Sequence, residues 1–182
     1  MTAETVWLET GLGISHLSEG WEDYKQFILP TKKLYVDNGM WMTDSDILNL
    51  DCEIASLSLD HLRYRVMNLF ILKWSRSSSK KLKYIHISMN GYMRTTEDML
   101  PVLLESLRFR NWDGISRGRY YPLDQEIPLP ASAQNEGTRF DLKDGKDIRR
   151  DDGTIATVFI TDIYETYLFV WHNRFPETAQ LP

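Results

Sequence analysis

The side chains best able to bind a metal or relay a proton are four histidines, His16, His61, His86 and His172. No two lie three or four residues apart, the spacing that brings a pair onto one metal from a helix. Each is expected to be a surface or hydrogen-bonded histidine rather than a ligand. The segment ETGLGIS holds Gly11 and Gly13, but His16 stands where a dinucleotide-binding turn needs its third glycine. No Gly-x-x-x-x-Gly-Lys-Ser/Thr phosphate loop and no Gly-x-Ser-x-Gly nucleophile turn occurs. DLKDGKDIRRDDG, residues 141–153, is acidic enough to suggest calcium. Its oxygens miss the one, three, five spacing with glycine at six, and lysines and arginines interrupt them. Cys52, the single cysteine, excludes an internal disulfide and a cysteine zinc cage, and beside a core strand it is expected to be an inert buried thiol. No catalytic residue, cofactor or metal is expected.

Composition limits the partners. The chain has 182 residues, 42% hydrophobic and 26% charged, with 12% aromatics, as in a globular domain with material for an interface. Its net charge of −5 disfavours nucleic acid, which calls for a basic footprint. No apolar run approaches the ~18 residues of a membrane span, and the first residues lack a signal peptide's basic start and apolar block. A cytoplasmic or nuclear protein is expected. Lys73, Arg76, Lys80, Lys81 and Lys83 follow the longest helical pattern and read first as a solvated helix end, where cations favour the dipole. Docking of an acidic or phosphorylated partner is the alternative. Arg108, Arg110, Arg117 and Arg119 form a second, sparser basic zone with the same two readings.

The elements that must carry these side chains emerge from apolar spacing. Ile54-x-x-Leu57-x-Leu59 and Leu82-x-x-Ile85-x-Ile87 share one pattern, the second followed by Asn90, with weaker copies around Leu34 and Val6. From Val6 through Leu34 and Leu57 to Ile85 the intervals are 28, 23 and 28 residues, close to the ~20–29 of a leucine-rich unit. Helical spacing fills the gaps: Trp21, Tyr24, Phe27 and Ile28 between a Ser18 cap and Pro30, a short helix in TDSDILNL, and the longest from Asp60 to Trp74. Another starts near Thr95 and runs to Leu107, with Pro101 tolerable in its first turn. Strand–helix alternation implies right-handed parallel crossovers. The expected fold is α/β, an irregular leucine-rich-repeat-like arch of parallel strands and helices with a C-terminal antiparallel hairpin or meander. One domain, 1–182, would comprise the arch (1–110), a loop-rich connection (111–137) and antiparallel strands (138–175). In the last part Asp151, Asp152 and Gly153 are expected to form a three-residue turn with Gly153 left-handed, Arg150 facing Thr154 and Ile148 facing Ala156. His86, between Ile85 and Ile87, should face the open side of the arch.

Two segments together carry a resemblance. In NLFILKWSRSSSKKLKYIHI, residues 68–87, Asn68, Phe70, Trp74, Ser78, Leu82 and Tyr84 fall on a spaced pattern. In DIRRDDGTIATVFI and the following YLFVW, a second pattern takes Asp147, Ile148, Arg150, Asp152, Gly153, Thr154, Ala156, Thr157, Val170 and Trp171. Both resemble the F-box-associated domain, type 2, of nematode F-box proteins, over about residues 34–172. Ser77 and Lys80 replace a common glycine and proline of the family, so the loop before the fourth strand is expected to differ in shape. The resemblance implies a non-catalytic module that recruits protein targets to a Skp–cullin–F-box ubiquitin ligase. The opening TVWLE reads as a strand and not as a helical F-box. Skp adaptor and cullin are therefore expected as partners only where an F-box is supplied elsewhere. The alternative is an F-box-less inhibitor, antidote or scaffold that binds a target without ubiquitylation. The target is expected on the strand face that displays Tyr35, Ser58, His86 and Ser88.

Overall fold

The computed structural model describes residues 4–8, 21–59, 64–89, 96–122, 139–161 and 165–172. Ser18, His16, His61, Asn90 and Thr95 lie outside them. Strands and helices alternate first: β1 (Thr5–Leu8), α1 (Trp21–Ile28), β2 (Lys33–Val36), α2 (Asp44–Leu48), β3 (Ile54–Leu59), α3 (Tyr64–Arg76), β4 (Tyr84–Met89) and α4 (Thr96–Leu103). Strands follow: β5 (Phe109–Asn111), β6 (Tyr120–Pro122), β7 (Arg139–Asp141), β8 (Lys146–Arg149), β9 (Ile155–Ile160) and β10 (Thr166–Trp171).

Local chemistry explains the helix ends. Thr43 and Asp46 form a capping box at the start of α2, Thr43 N donating to Asp46 Oδ2 at 2.7 Å and Asp46 N to Thr43 Oγ1 at 3.3 Å. The same Asp46 carboxylate takes the buried ammonium of Lys25 at 2.9 Å, tying α1 to α2. Pro101 lies inside α4 instead of in its first turn, so the preceding turn loses a backbone donor, and the helix runs to Leu103, shortly before Ser106 takes a left-handed φ of 61°. The buried Asn68 amide compensates at that end, donating to the carbonyls of Leu103 and Glu105 at 2.8 Å each.

The expected arch is not what forms. Eight strands make one mixed sheet in the order β1-β2-β3-β4-β10-β9-β8-β5, and strand residues outnumber helical ones. β1 to β4 are parallel, but the edge of β4 where another repeat would stack is taken by antiparallel β10, with Leu168 opposite Ile85. Repeat equivalence also fails within the parallel part. Leu57 stands beside Val36 and Ile87, not beside Leu34 and Ile85, a slip that preserves the inward face because strands alternate with period two. That inward face joins Leu34, Leu57, Ile85 and Leu168 to Ile47, Phe70, Ile71 and Leu103 of the helices in one core.

The opposite face is not an open concavity either. A separate two-stranded sheet, β6 with β7, lays Tyr121 and Phe140 over it. With Tyr84, Tyr167, Phe169 and Trp171 they form a second, aromatic core, Tyr121 and Phe169 at 4.8 Å and Phe140 and Tyr167 at 5.2 Å between ring centroids. Leu142 and Gly145 lead from β7 into β8, which belongs to the large sheet, so no hairpin closes over Asp144 and Gly145.

Between β8 and β9 the tight turn is present. Gly153 has φ +88°, Arg150 N donates to Thr154 O at 2.9 Å, and Ile148 faces Ala156. A Cβ at Gly153 would meet nothing closer than Arg149 Nη2 at 3.7 Å, so a side chain fits and only the backbone objects. Gly153→Val is therefore expected to destabilise by about 1–2 kcal/mol, the cost of the left-handed region for a residue with a Cβ. An unchanged melting temperature would contradict the turn.

Candidate protein-binding face

Alternation along β1 to β4 turns Trp7, Tyr35, Ser56, Ser58, His86 and Ser88 away from the helices. In register, Trp7, Tyr35, Ser56 and His86 make one row across the sheet, continued by Tyr167 of β10, and Ser58 opposite Ser88 starts the next. The four residues singled out from the sequence thus share a face but differ in access. Ser58 and Ser88 are half-buried, whereas Tyr35 and His86 are each only 4% exposed. Trp7 stacks on Tyr35 at 4.1 Å between centroids and is itself 59% exposed, so among the aromatics of this row it is the one available to a partner. Strand alternation places Trp7 opposite the direction of Val6 and Leu8, a signal sufficient to have found it.

His86 is covered because β10 brings Tyr167 over it, the rings stacked at 4.7 Å. Ser56 Oγ lies 2.9 Å from His86 Nδ1, and Glu165 Oε1 lies 3.7 Å from Nε2. Glu165 Oε2 accepts the Tyr167 hydroxyl at 2.6 Å. Serine, histidine and carboxylate thus stand in succession, but nucleophilic acyl transfer also needs backbone donors converging on the oxyanion. Ser56 sits mid-strand, where ladders to β2 and β4 occupy the backbone on both sides. What the succession does is fix the imidazole within the sheet face. Glu165 and Tyr167 lie far from His86 in sequence, and only the pairing of β10 with β4 unites them.

The family-pattern residues from the two segments meet in the structure. The Arg150 guanidinium lies 5.3 Å from the centroid of the Trp74 ring, its Nη1 donates to Ser79 O at 2.7 Å, and its Nη2 pairs with Asp152 at 3.0 Å. Asp152 Oδ1 in turn accepts the Thr154 amide at 2.9 Å. Arg149 points outward and is exposed. Asp147, Ile148, Ala156 and Trp171 are buried, as are Asn68, Phe70, Leu82 and Tyr84. Burial raises the Tyr84 phenol well above its usual pKa.

The second basic zone differs from its sequence reading. Arg117 is buried and donates to Asp147 Oδ1 at 2.8 Å and to the carbonyls of Gly118 and Leu142. Burial pulls its pKa down while Asp147 opposes the shift. Arg119 instead makes a two-pronged pair with Asp141, which raises the pKa of the arginine and lowers that of the aspartate. His172 is hydrogen-bonded, its Nε2 2.7 Å from Leu82 O. Among the described residues no three His, Cys, Asp or Glu side chains gather as a metal site, and no helix is long and apolar enough to cross a membrane.

Comparison with known proteins adds similarities to nematode sequences. "Uncharacterized protein F59B2.9" of Caenorhabditis elegans is 27% identical over 158 residues, 84% of this chain and 33% of that protein. "Uncharacterized protein F59B2.8" of the same organism is 26% identical over 156 residues, again 84% of this chain and 33% of the relative. The chain thus spans about a third of the length of these curated relatives. "E3 ubiquitin-protein ligase hecw-1", also from Caenorhabditis elegans, is 35% identical over 60 residues, 33% of this chain and 5% of that protein. No solved structure matches significantly. The F-box associated family model matches residues 24–87, from within α1 to near the end of β4, which takes in the first of the two sequence patterns. Over residues 24–87 the chain is similar to the F-box associated family, in line with the first of the two sequence patterns.

Proposed function

We propose that this chain is a protein-recognition module that selects a target for a Skp–cullin–F-box ubiquitin ligase when joined to an F-box. The observation that carries the reading is the F-box associated match over 24–87, a segment that includes Tyr35, Ser58 and His86 of the candidate face. A family with this name suggests a protein-binding role, and the short similarity to a protein named as a ubiquitin ligase points to the same process. The target docks on the face outside β1 to β4, with exposed Trp7 as its anchor and Ser58 and Ser88 leaving room beside it.

Affinity purification of the full gene product, read by mass spectrometry, is expected to bring down a target together with Skp adaptor and cullin. A target captured without either would transfer the protein to the stand-alone inhibitor or scaffold reading. His86 is buried, so the surface is better tested at its accessible members. Trp7→Asp and Ser88→Arg should each reduce capture about tenfold or more, the loss typical of an anchor at an interface. Asp151→Ala on the exposed hairpin tip should leave it unchanged at equal melting temperature. The reverse pattern would move the site to the hairpin.

A further inference from the structure

A cleft of about 250 Å³ opens where the C-terminal end of α2, the last turns of α3 and the 77–82 loop meet. Its floor is apolar, from Leu50, Cys52, Phe70, Trp74 and Leu82, and Lys73 and Lys81 stand at its rim. Burial pushes the Cys52 thiol up to about 12, so it contributes an apolar wall and not a nucleophile. Lys73 Nζ donates to Leu48 O at 2.6 Å and to Asn49 Oδ1 at 3.3 Å, while Lys81 Nζ is held by Asp51. An ammonium has three donors, and each of these keeps one for a ligand. Arg76 and Lys80, exposed neighbours of the lining residues in sequence, make no ion pair among the described residues. Arg150 donates to Ser79 O at 2.7 Å, which ties one wall of the cleft to the β8–β9 hairpin.

We infer that this cleft binds an acidic peptide segment of a partner protein through one large apolar side chain flanked by carboxylates. Two observations set that chemistry. The volume is below the ~300–1,000 Å³ of pockets for drug-sized ligands and suits a single leucine, methionine or phenylalanine side chain. Lys73 and Lys81 line the cleft against a single lining acid, Asp51, and exposed Arg76 and Lys80 adjoin lining residues in sequence, Lys80 also acting on Asp152 of the hairpin, on a chain whose net charge is −5, so local and overall charge have opposite sign. The inference rests on the chain being a protein-binding module, not on its delivering anything to a ligase, and the cleft lies on the helical side of the sheet, away from Trp7.

The test uses the whole chain and fluorescein-labelled nonapeptides read by anisotropy. A central leucine between runs of glutamate and aspartate should bind saturably. The same leucine between glutamines, or a serine between the acidic runs, should bind at least about tenfold more weakly, and a lysine-flanked leucine not at all. Raising salt to about 0.5 M should weaken binding about tenfold, because the charges are at a solvated rim. Arg76→Glu combined with Lys80→Glu changes only exposed side chains and should abolish binding with no change in melting temperature. Absence of saturable binding, equal binding of the glutamine- or serine-containing peptide, indifference to the double variant, or displacement by a single-stranded oligothymidine would each overturn the inference. Failure here leaves docking at Trp7 standing. Absence of Skp and cullin from the purification leaves peptide binding standing.

Discussion

Asp147→Ala is expected to lower the free energy of unfolding by about 3–5 kcal/mol, the penalty for stripping one partner from a buried ion pair. Both side chains of the Arg117–Asp147 pair are 1% exposed, and Asp147 Oδ1 also accepts the Thr157 hydroxyl at 2.7 Å. Thr157 accepts in turn from the Trp171 indole at 2.9 Å. Truncating the aspartate therefore strands a guanidinium among carbonyls and loosens Thr157 beneath the aromatic core. For a domain stable by about 5–15 kcal/mol this is a large fraction of the total. Replacing both partners with apolar residues, Arg117→Met with Asp147→Leu, should recover much of the loss, because no lone charge remains. Urea titration decides the matter: a single variant within about 1 kcal/mol of the parent would mean that the pair behaves as a solvated surface bridge.

Ile85→Ala is expected to cost about 2–5 kcal/mol through lost burial plus the cavity left behind. Ile85 is fully buried on β4 between Ala55 of β3 and Leu168 of β10, with the helices over it, so the surroundings have little freedom to collapse inward. Leu57→Ala, beside Val36 and Ile87, should lose a similar amount. Val6→Ala, half-buried on the outermost strand, should lose clearly less. Denaturant midpoints at unchanged slope would report this ranking directly. Equal losses at Val6 and Ile85 would place the sheet's centre elsewhere.

What was legible in the sequence was what depends on near neighbours. Period-two alternation identified the inward residues of β2, β3 and β4, and the Asp-Asp-Gly turn predicted both the left-handed Gly153 and the pairing of Ile148 with Ala156. Partnerships between distant segments left no such trace. Nothing around Leu168 announces that it lies beside Ile85, and that single pairing turned an expected arch into a mixed sheet. The same event buried His86, because the tyrosine that covers it comes from β10. Arg117 misled for a related reason: its partner Asp147 is 30 positions away, and a local charge count sees mostly other arginines. Trp7 was open to the same alternation argument that marked Tyr35, Ser58, His86 and Ser88 as outward, but β1 had been read only for Val6 and Leu8.

The location of β10 has a consequence for biogenesis. Among the described residues it is the last strand in sequence, yet it lies between β4 and β9 inside the sheet and joins the parallel half to the antiparallel half. As the polypeptide leaves the ribosome, β1 to β4 can assemble early, but β4 then presents an unpaired edge until some eighty further residues have been made, from Met89 to Thr166. Such an edge is a template for pairing with other chains, and contacts of this sequence separation form slowly. The interval before β10 docks is thus when a nascent chain is most exposed to aggregation and chaperone capture. A stop codon ahead of Thr166 would leave the edge open permanently.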